Sequence, residues 1–258
     1  MKTSAMLFAL IACCGGAATW ADSPFDGSWQ MNPAKSNLAG ETMTFEDAGN
    51  GSLKYTDSSE SYTFKPDGSA FTTPFGIERT FKKEGDGSYT TSNKKAGMLL
   101  NTSTWKMSAD GNTIVVESKG TKPNGDTFDN LTTYTRTAPG AGLVGGWKST
   151  KVKLSSPNTV TIQTSGSDVT LTISAIKATC HAKWDGKDYP ATGPTVAEGI
   201  TLALTKTGAD TFKLVQKHNG KTIGIINYRV AADGKTMHLK GTNGEGGEPF
   251  SEVMDKQS

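Results

Sequence analysis

Apolar and polar residues alternate in short runs along most of the chain. Val160 and Ile162 fall two apart, as do Val169, Leu171 and Ile173, and then Ile200, Leu202 and Leu204. Phe212 with Leu214, Ile223 with Ile225, and Met237 with Leu239 continue the pattern. Successive side chains of a strand point to opposite faces, so this period predicts strands with one buried face and one wet face. Turn-forming clusters punctuate the runs: DAGNGS from residue 47, KPDGS from 65, GDGS from 85, ADGN from 109, DGK from 185 and ADGK from 232. Asp-Gly and Asn-Gly favour tight hairpins because those turns need positive φ. No long helical period follows residue 21. The chain therefore reads as all-β and antiparallel.

The pattern also repeats. Gly27-Ser28-Trp29 returns as Gly145-Gly146-Trp147, and Lys65-Pro66-Asp67-Gly68 returns as Lys183-Trp184-Asp185-Gly186 at the same offset. TWKMSADGNTI (104–114) returns as NYRVAADGKTM (227–237) at a slightly longer one. Ordered matches of this kind predict two tandem copies. The expected organisation is a leader at 1–21, one domain at 22–137, a small Gly/Pro-bearing linker at 138–142, and a second domain at 143–258. Each domain is expected to be an up-and-down β-barrel of about 8–10 strands.

Composition narrows the class. Residues 1–21 carry one Lys, then an apolar run, then small residues before Asp22, which is the pattern of an export signal. The expected location is periplasmic or extracellular. A lipid anchor on Cys13, from a lipobox-like LIAC, is the alternative. After residue 21 one cysteine remains, Cys180, which excludes an intrachain disulfide and reads as a small buried hydrophobe. Lys and Arg number 27 against 25 Asp and Glu, with signs well mixed, so neither nucleic acid nor an anionic membrane is an expected partner. No later segment has the ~20 apolar residues of a transmembrane helix.

A resemblance sharpens the barrel reading. Gly27-x-Trp29 and Gly145-x-Trp147 open the two copies, and Arg136 and Lys256 lie near their ends. A Gly-x-Trp near the start and a cation near the last strand resemble the signature of the calycin superfamily, the lipocalins and fatty-acid-binding proteins. The resemblance implies a Trp plugging one barrel end under a basic side chain, Trp29 under Arg136 and Trp147 under Lys256. WQMNPAKS (29–36), WDGKDYPATG (184–193) and VAADGKTMHL (230–239) are similar to segments of exported bacterial proteins with a lipocalin-like domain. That likeness implies the domain type and says little about the ligand.

Candidate chemistry is sparse. His181, His218 and His238 form no zinc-like spacing, and His181 and its neighbour Cys180 should face opposite ways on a strand. The carboxylates mostly fall in turn signals, such as Asp67, Asp86, Asp110, Asp185 and Asp233, and neither a nucleophile elbow nor a phosphate loop is present. No catalytic residue, metal or cofactor is expected. Candidate ligand-lining residues are Tyr62, Phe64 and Trp105 in the first copy and Trp184, Tyr189 and Tyr228 in the second. The expected function is non-enzymatic binding of a small apolar or amphipathic molecule inside a barrel. The alternative is an envelope protein- or glycan-binding module with filled barrels, with an enzyme working inside a barrel as a third reading. An open pocket favours the first, and exposed clustered aromatics favour the second.

Overall fold

The computed structural model describes residues 23–244 and 247–257, so the expected leader at 1–21 and the alternative anchor at Cys13 lie outside the described residues. The chain is all-β. Its first ten strands are β1 (Gly27–Met31), β2 (Thr42–Gly49), β3 (Ser52–Asp57), β4 (Ser61–Phe64), β5 (Asp67–Thr72), β6 (Glu78–Gly85), β7 (Ser88–Lys95), β8 (Met98–Met107), β9 (Thr113–Thr121) and β10 (Thr127–Ala138). The next are β11 (Gly145–Lys153), β12 (Thr159–Ser165), β13 (Asp168–Ile173), β14 (Ala178–Lys183) and β15 (Asp185–Thr192). β16 (Ile200–Lys206), β17 (Thr211–His218), β18 (Lys221–Val230), β19 (Thr236–Thr242) and β20 (Pro249–Lys256) complete the chain. One 3₁₀ turn, Ser174–Ile176, lies between β13 and β14.

The strands form two antiparallel ten-stranded sheets, but not as two consecutive segments. One sheet closes into a barrel in the order β1-β12-β13-β14-β15-β16-β17-β18-β19-β20. The other runs β4-β3-β2-β11-β10-β9-β8-β7-β6-β5 and stays unpaired between β4 and β5. Thus β1 pairs with β12 and β20, while β11 lies between β10 and β2. The sequential division at 138–142 does not describe sheet membership. The chain passes between sheets at 32–41 and at 154–158 instead.

Residues 139–144 join β10 to β11 as a hairpin, with Arg136 opposite Trp147. Loop length alone does not select this pairing, since the similarly short 154–158 connection carries the chain from β11 to β12 in the other sheet. With β11 beside β10, β1 fills the place between β12 and β20. Asn32 N–H to the Val253 carbonyl (2.8 Å) and Asn37 N–H to the Ser251 carbonyl (2.8 Å) extend that junction along 32–41.

Turns follow local chemistry. Asn50 and Gly51 both take positive φ (53° and 73°), as a tight β2–β3 hairpin requires. The Asp67-Gly68 and Asp185-Gly186 turns behave differently from the hairpins expected there. Each Asp carboxylate accepts the amide two residues on, Ser69 N–H (2.9 Å) and Lys187 N–H (3.0 Å). The flanking strands then diverge: β4 and β5 share no ladder, and β14 and β15 pair only at Thr179↔Thr192 and Cys180↔Ala191. A bulge follows each Asp, between Asp67 and Ala70 and between Asp185 and Asp188, and swings the second strand away.

Each sheet encloses its own apolar core. In the closed barrel Ile162, Val169, Leu204, Phe212 and Met237 are buried. The other sheet buries Met43, Phe45, Phe81, Ile114 and Trp147. The expected alternation holds for Val169 and Leu171, and for Phe212 and Leu214, which share one buried face. It breaks in β18. Gln216 pairs with Gly224 and Lys217 with Thr222, leaving Ile223 unpaired in a bulge. Ile223 therefore shares the interior with Ile226, not with Ile225.

Candidate functional site

One end of each sheet is closed by a tryptophan. Trp29 and Trp147 are both fully buried, and each indole N–H donates to the carbonyl four residues back, Phe25 O and Leu143 O (2.8 Å each). The cations above them are exchanged relative to expectation, because their strands are. The Arg136 guanidinium lies 4.1 Å from the Trp147 ring centroid, and the Lys256 ammonium lies 5.1 Å from that of Trp29. The glycine two residues before each Trp makes room for this stack. At Gly145 a Cβ would sit 2.7 Å from the Arg136 guanidinium and 2.5 Å from the Ala138 carbonyl oxygen; at Gly27 it would sit 2.6 Å from Lys256 Cε. Both glycines also hold positive φ (125° and 130°).

Away from its plug, the closed barrel contains a cavity of about 350 Å³. Its wall includes Ile162, Leu171, Cys180, Leu202, Leu214, Ile226 and Tyr228. Ile176 of the 3₁₀ turn, Val196, Ala197 and Ile223 line it too. Among the described residues no Asp, Glu, Lys or Arg lines it; its polar lining comes from Thr179, Thr195, Gln216 and the Tyr228 phenol. Burial raises the Cys180 thiol to about 11, so the side chain stays a neutral thiol. His181, next in sequence, faces outward onto the Thr170 hydroxyl (3.0 Å), as strand geometry predicts.

The other sheet completes this cavity. Phe75 and Ile77, from the β5–β6 connection, line it as well. The connection is held by the Ile77 carbonyl accepting Thr73 N–H (2.9 Å) and by Lys95, whose ammonium donates to the Phe75 carbonyl (2.6 Å). Phe75 stacks on His218 with ring centroids 4.5 Å apart.

The open sheet holds a different cavity of about 210 Å³. Tyr62, Phe64 and Trp105 line it, and so do Arg79, Asn93, Asn101, Ser103 and Ser118. Aromatic packing fills the seam where β4 and β5 do not pair: Phe64 on Phe71 (5.2 Å) and Tyr62 on Phe71 (5.5 Å). Arg79 Nε–H donates to Asn93 Oδ1 (2.6 Å), whose amide donates to Asn101 Oδ1 (2.7 Å). Arg79 also donates to the Tyr62 hydroxyl. Burial pushes Tyr62 up to about 12, against the opposing pull of the Arg79 charge.

The six candidate lining residues thus separate. Tyr62, Phe64 and Trp105 share the polar cavity, and Tyr228 reaches the apolar one. Trp184 and Tyr189 line neither. Trp184 packs on Phe25 (5.6 Å) and Phe212 (5.2 Å) at the plugged end. Tyr189 packs against the core edge and donates its hydroxyl to Asp185 (3.0 Å). The turn and bulge at Asp185 aim both side chains. Sequence reasoning did not single out Arg79, although its alternation with Phe81 marks it as inward-facing. Phe75 and Ile77 carry no local signal, because they serve the cavity of the other sheet.

Among the described residues no cluster of three or more His, Cys, Asp or Glu is placed to hold a metal, and no helix is long and apolar enough to cross a membrane. The fold defines an all-β protein of two ten-stranded antiparallel sheets, one a closed barrel and one nearly closed. No protein-family model, curated protein or solved structure matches the chain.

Proposed function

We propose that this is an exported, non-enzymatic binding protein of calycin type, built from two related copies, whose closed barrel carries a small neutral apolar molecule. The observation that supports this most is the apolar cavity of about 350 Å³, which has no charged lining residue among those described. Small-molecule sites have this character: apolar walls, a few polar groups and volumes from about 300 Å³ upward. A charged ligand head would lose its hydration there without compensation. Thr179, Gln216 and Tyr228 supply hydrogen bonds enough for one neutral polar group. The Gly-x-Trp plugs under Arg136 and Lys256 are the features that support the calycin assignment.

A surface-binding role has less support. The exposed large hydrophobic residues among those described are Met98 and Leu99, which are adjacent and not aromatic. Titration with N-phenyl-1-naphthylamine, a neutral apolar fluorophore, tests the proposal, together with native mass spectrometry of protein purified from its export pathway. One saturable site, lost in Ala191→Phe, is the expected result. A clean ligand-free mass with no saturable probe binding would refute it.

A further inference from the structure

We infer that the open sheet carries a second, chemically distinct binding site, which takes a small organic carboxylate with an aromatic body. Three observations place it in the cavity of about 210 Å³ lined by Arg79 and Trp105.

The first is a cation with no ion-pair partner in contact. Arg79 is partly buried in the wall, and no carboxylate lies within ion-pair distance of it among the described residues, whereas Arg229 has Asp210 at 3.4 Å. Its partners are neutral, Asn93 and Tyr62. A guanidinium offers five donors in a planar fork suited to a carboxylate, and these two contacts leave donors over. The second is an orphan donor. Trp105 Nε1 is buried without a hydrogen-bond partner, and Trp105 lines this same cavity. A buried unpaired donor costs free energy that an accepting ligand would recover. The third is the remaining wall. Asn93 and Asn101 hold Arg79 in place through one chain of hydrogen bonds, while Phe64, Phe81 and Trp105 supply flat apolar surface. Such a wall suits a ring with an anionic end.

Size bounds the class. At about 30 Å³ per water, the space corresponds to roughly seven waters, enough for a single-ring acid and too little for a long chain. The closed barrel offers the opposite chemistry, with no charge and an almost wholly apolar wall. The inference does not depend on that barrel binding anything.

Benzoate is the test ligand, titrated into the folded protein by calorimetry, with benzamide and inorganic phosphate as comparison ligands. The expected result is one saturable benzoate site, with benzamide and phosphate each at least about tenfold weaker, since a charge-assisted pair and ring contact both contribute. Arg79→Gln should weaken benzoate by roughly tenfold to a hundredfold, and Trp105→Phe by a few-fold. Glu60→Gln should tighten it, because Glu60 is the acid whose charge couples to Arg79 and would repel the ligand. Ala191→Phe, in the other cavity, should leave benzoate binding unchanged. Absence of saturation up to about 10 mM overturns the inference. So does equal binding of phosphate or benzamide, or benzoate affinity that Arg79→Gln leaves intact in a protein with wild-type circular dichroism.

Discussion

Arg136→Met should destabilise the protein several times more than Lys256→Met, although the two cations occupy matching places over buried tryptophans. Methionine keeps most of the apolar stem, so the comparison isolates the charged head. The Arg136 guanidinium donates to three backbone carbonyls: Nε to Gly111 O (2.8 Å), one terminal nitrogen to Val144 O (2.7 Å) and the other to Gly142 O (2.7 Å). It also lies 4.1 Å from the Trp147 centroid. In this partly solvated site each such bond contributes about 1 kcal/mol, the typical net value for a hydrogen bond, and the cation–π contact about 0.5–1 kcal/mol. The loss should total roughly 3–4 kcal/mol. Lys256 is exposed and has only the longer ring contact at 5.1 Å, so its loss should be about 0.5–1 kcal/mol. Arg136→Lys should fall between, since it keeps the charge and loses the fork. Urea unfolding followed by tryptophan fluorescence and circular dichroism reads all three. Equal costs for Arg136→Met and Lys256→Met, within about 0.5 kcal/mol, would show that the carbonyl network contributes nothing beyond the stack.

Deleting residues 22–31 should expose the core of the closed barrel and leave the other sheet intact. Hydrogen exchange should quicken in β12 and β20 while β2 and β10 keep their protection, and the opposite pattern would refute the strand exchange. Cys180 should resist iodoacetamide at pH 8 in the folded protein. With its thiol near 11, about one molecule in a thousand carries the thiolate there, so labelling faster than global or local opening would contradict its burial. Burial raises the Glu252 carboxyl above its ordinary value. A raised carboxyl favours folding at low pH, and that contribution is lost as pH rises through the folded value. Glu252→Gln should therefore raise the urea midpoint at pH 8 relative to wild type and leave it unchanged at pH 4; a larger gain at pH 4 would refute the assignment. Phe75→Ala should speed probe exchange from the closed barrel in stopped-flow fluorescence, and unchanged kinetics would show that Phe75 does not cover the cavity.

How far the sequence reaches depends on the range of the interaction. Strand type, turn position and buried face are set within a few residues. Alternation at Val169 and Leu171 or at Phe212 and Leu214, Asn50-Gly51 at a hairpin, and the opposed faces of Cys180 and His181 were all legible for that reason. The burial of Trp29 and Trp147 beneath a cation was expected from the family resemblance of the Gly-x-Trp pattern, and the structure adds that each glycine leaves space a Cβ would fill. Which cation covers which Trp was not legible, because it depends on which sheet each strand joins. Strands β1 and β11 open on the same Gly-x-Trp pattern, so that pattern does not tell the sheets apart, and the 139–144 and 154–158 connections are both short although only the first joins paired strands. The aim of Trp184, the inward turn of Ile223 and the cover by Phe75 likewise arise from bulges and from packing between distant segments. The sequence alone determined an all-β chain with its turns and buried faces. Tertiary structure decided the exchange of first strands and the opposite polarity of the two cavities, because both arise where strands remote in sequence meet.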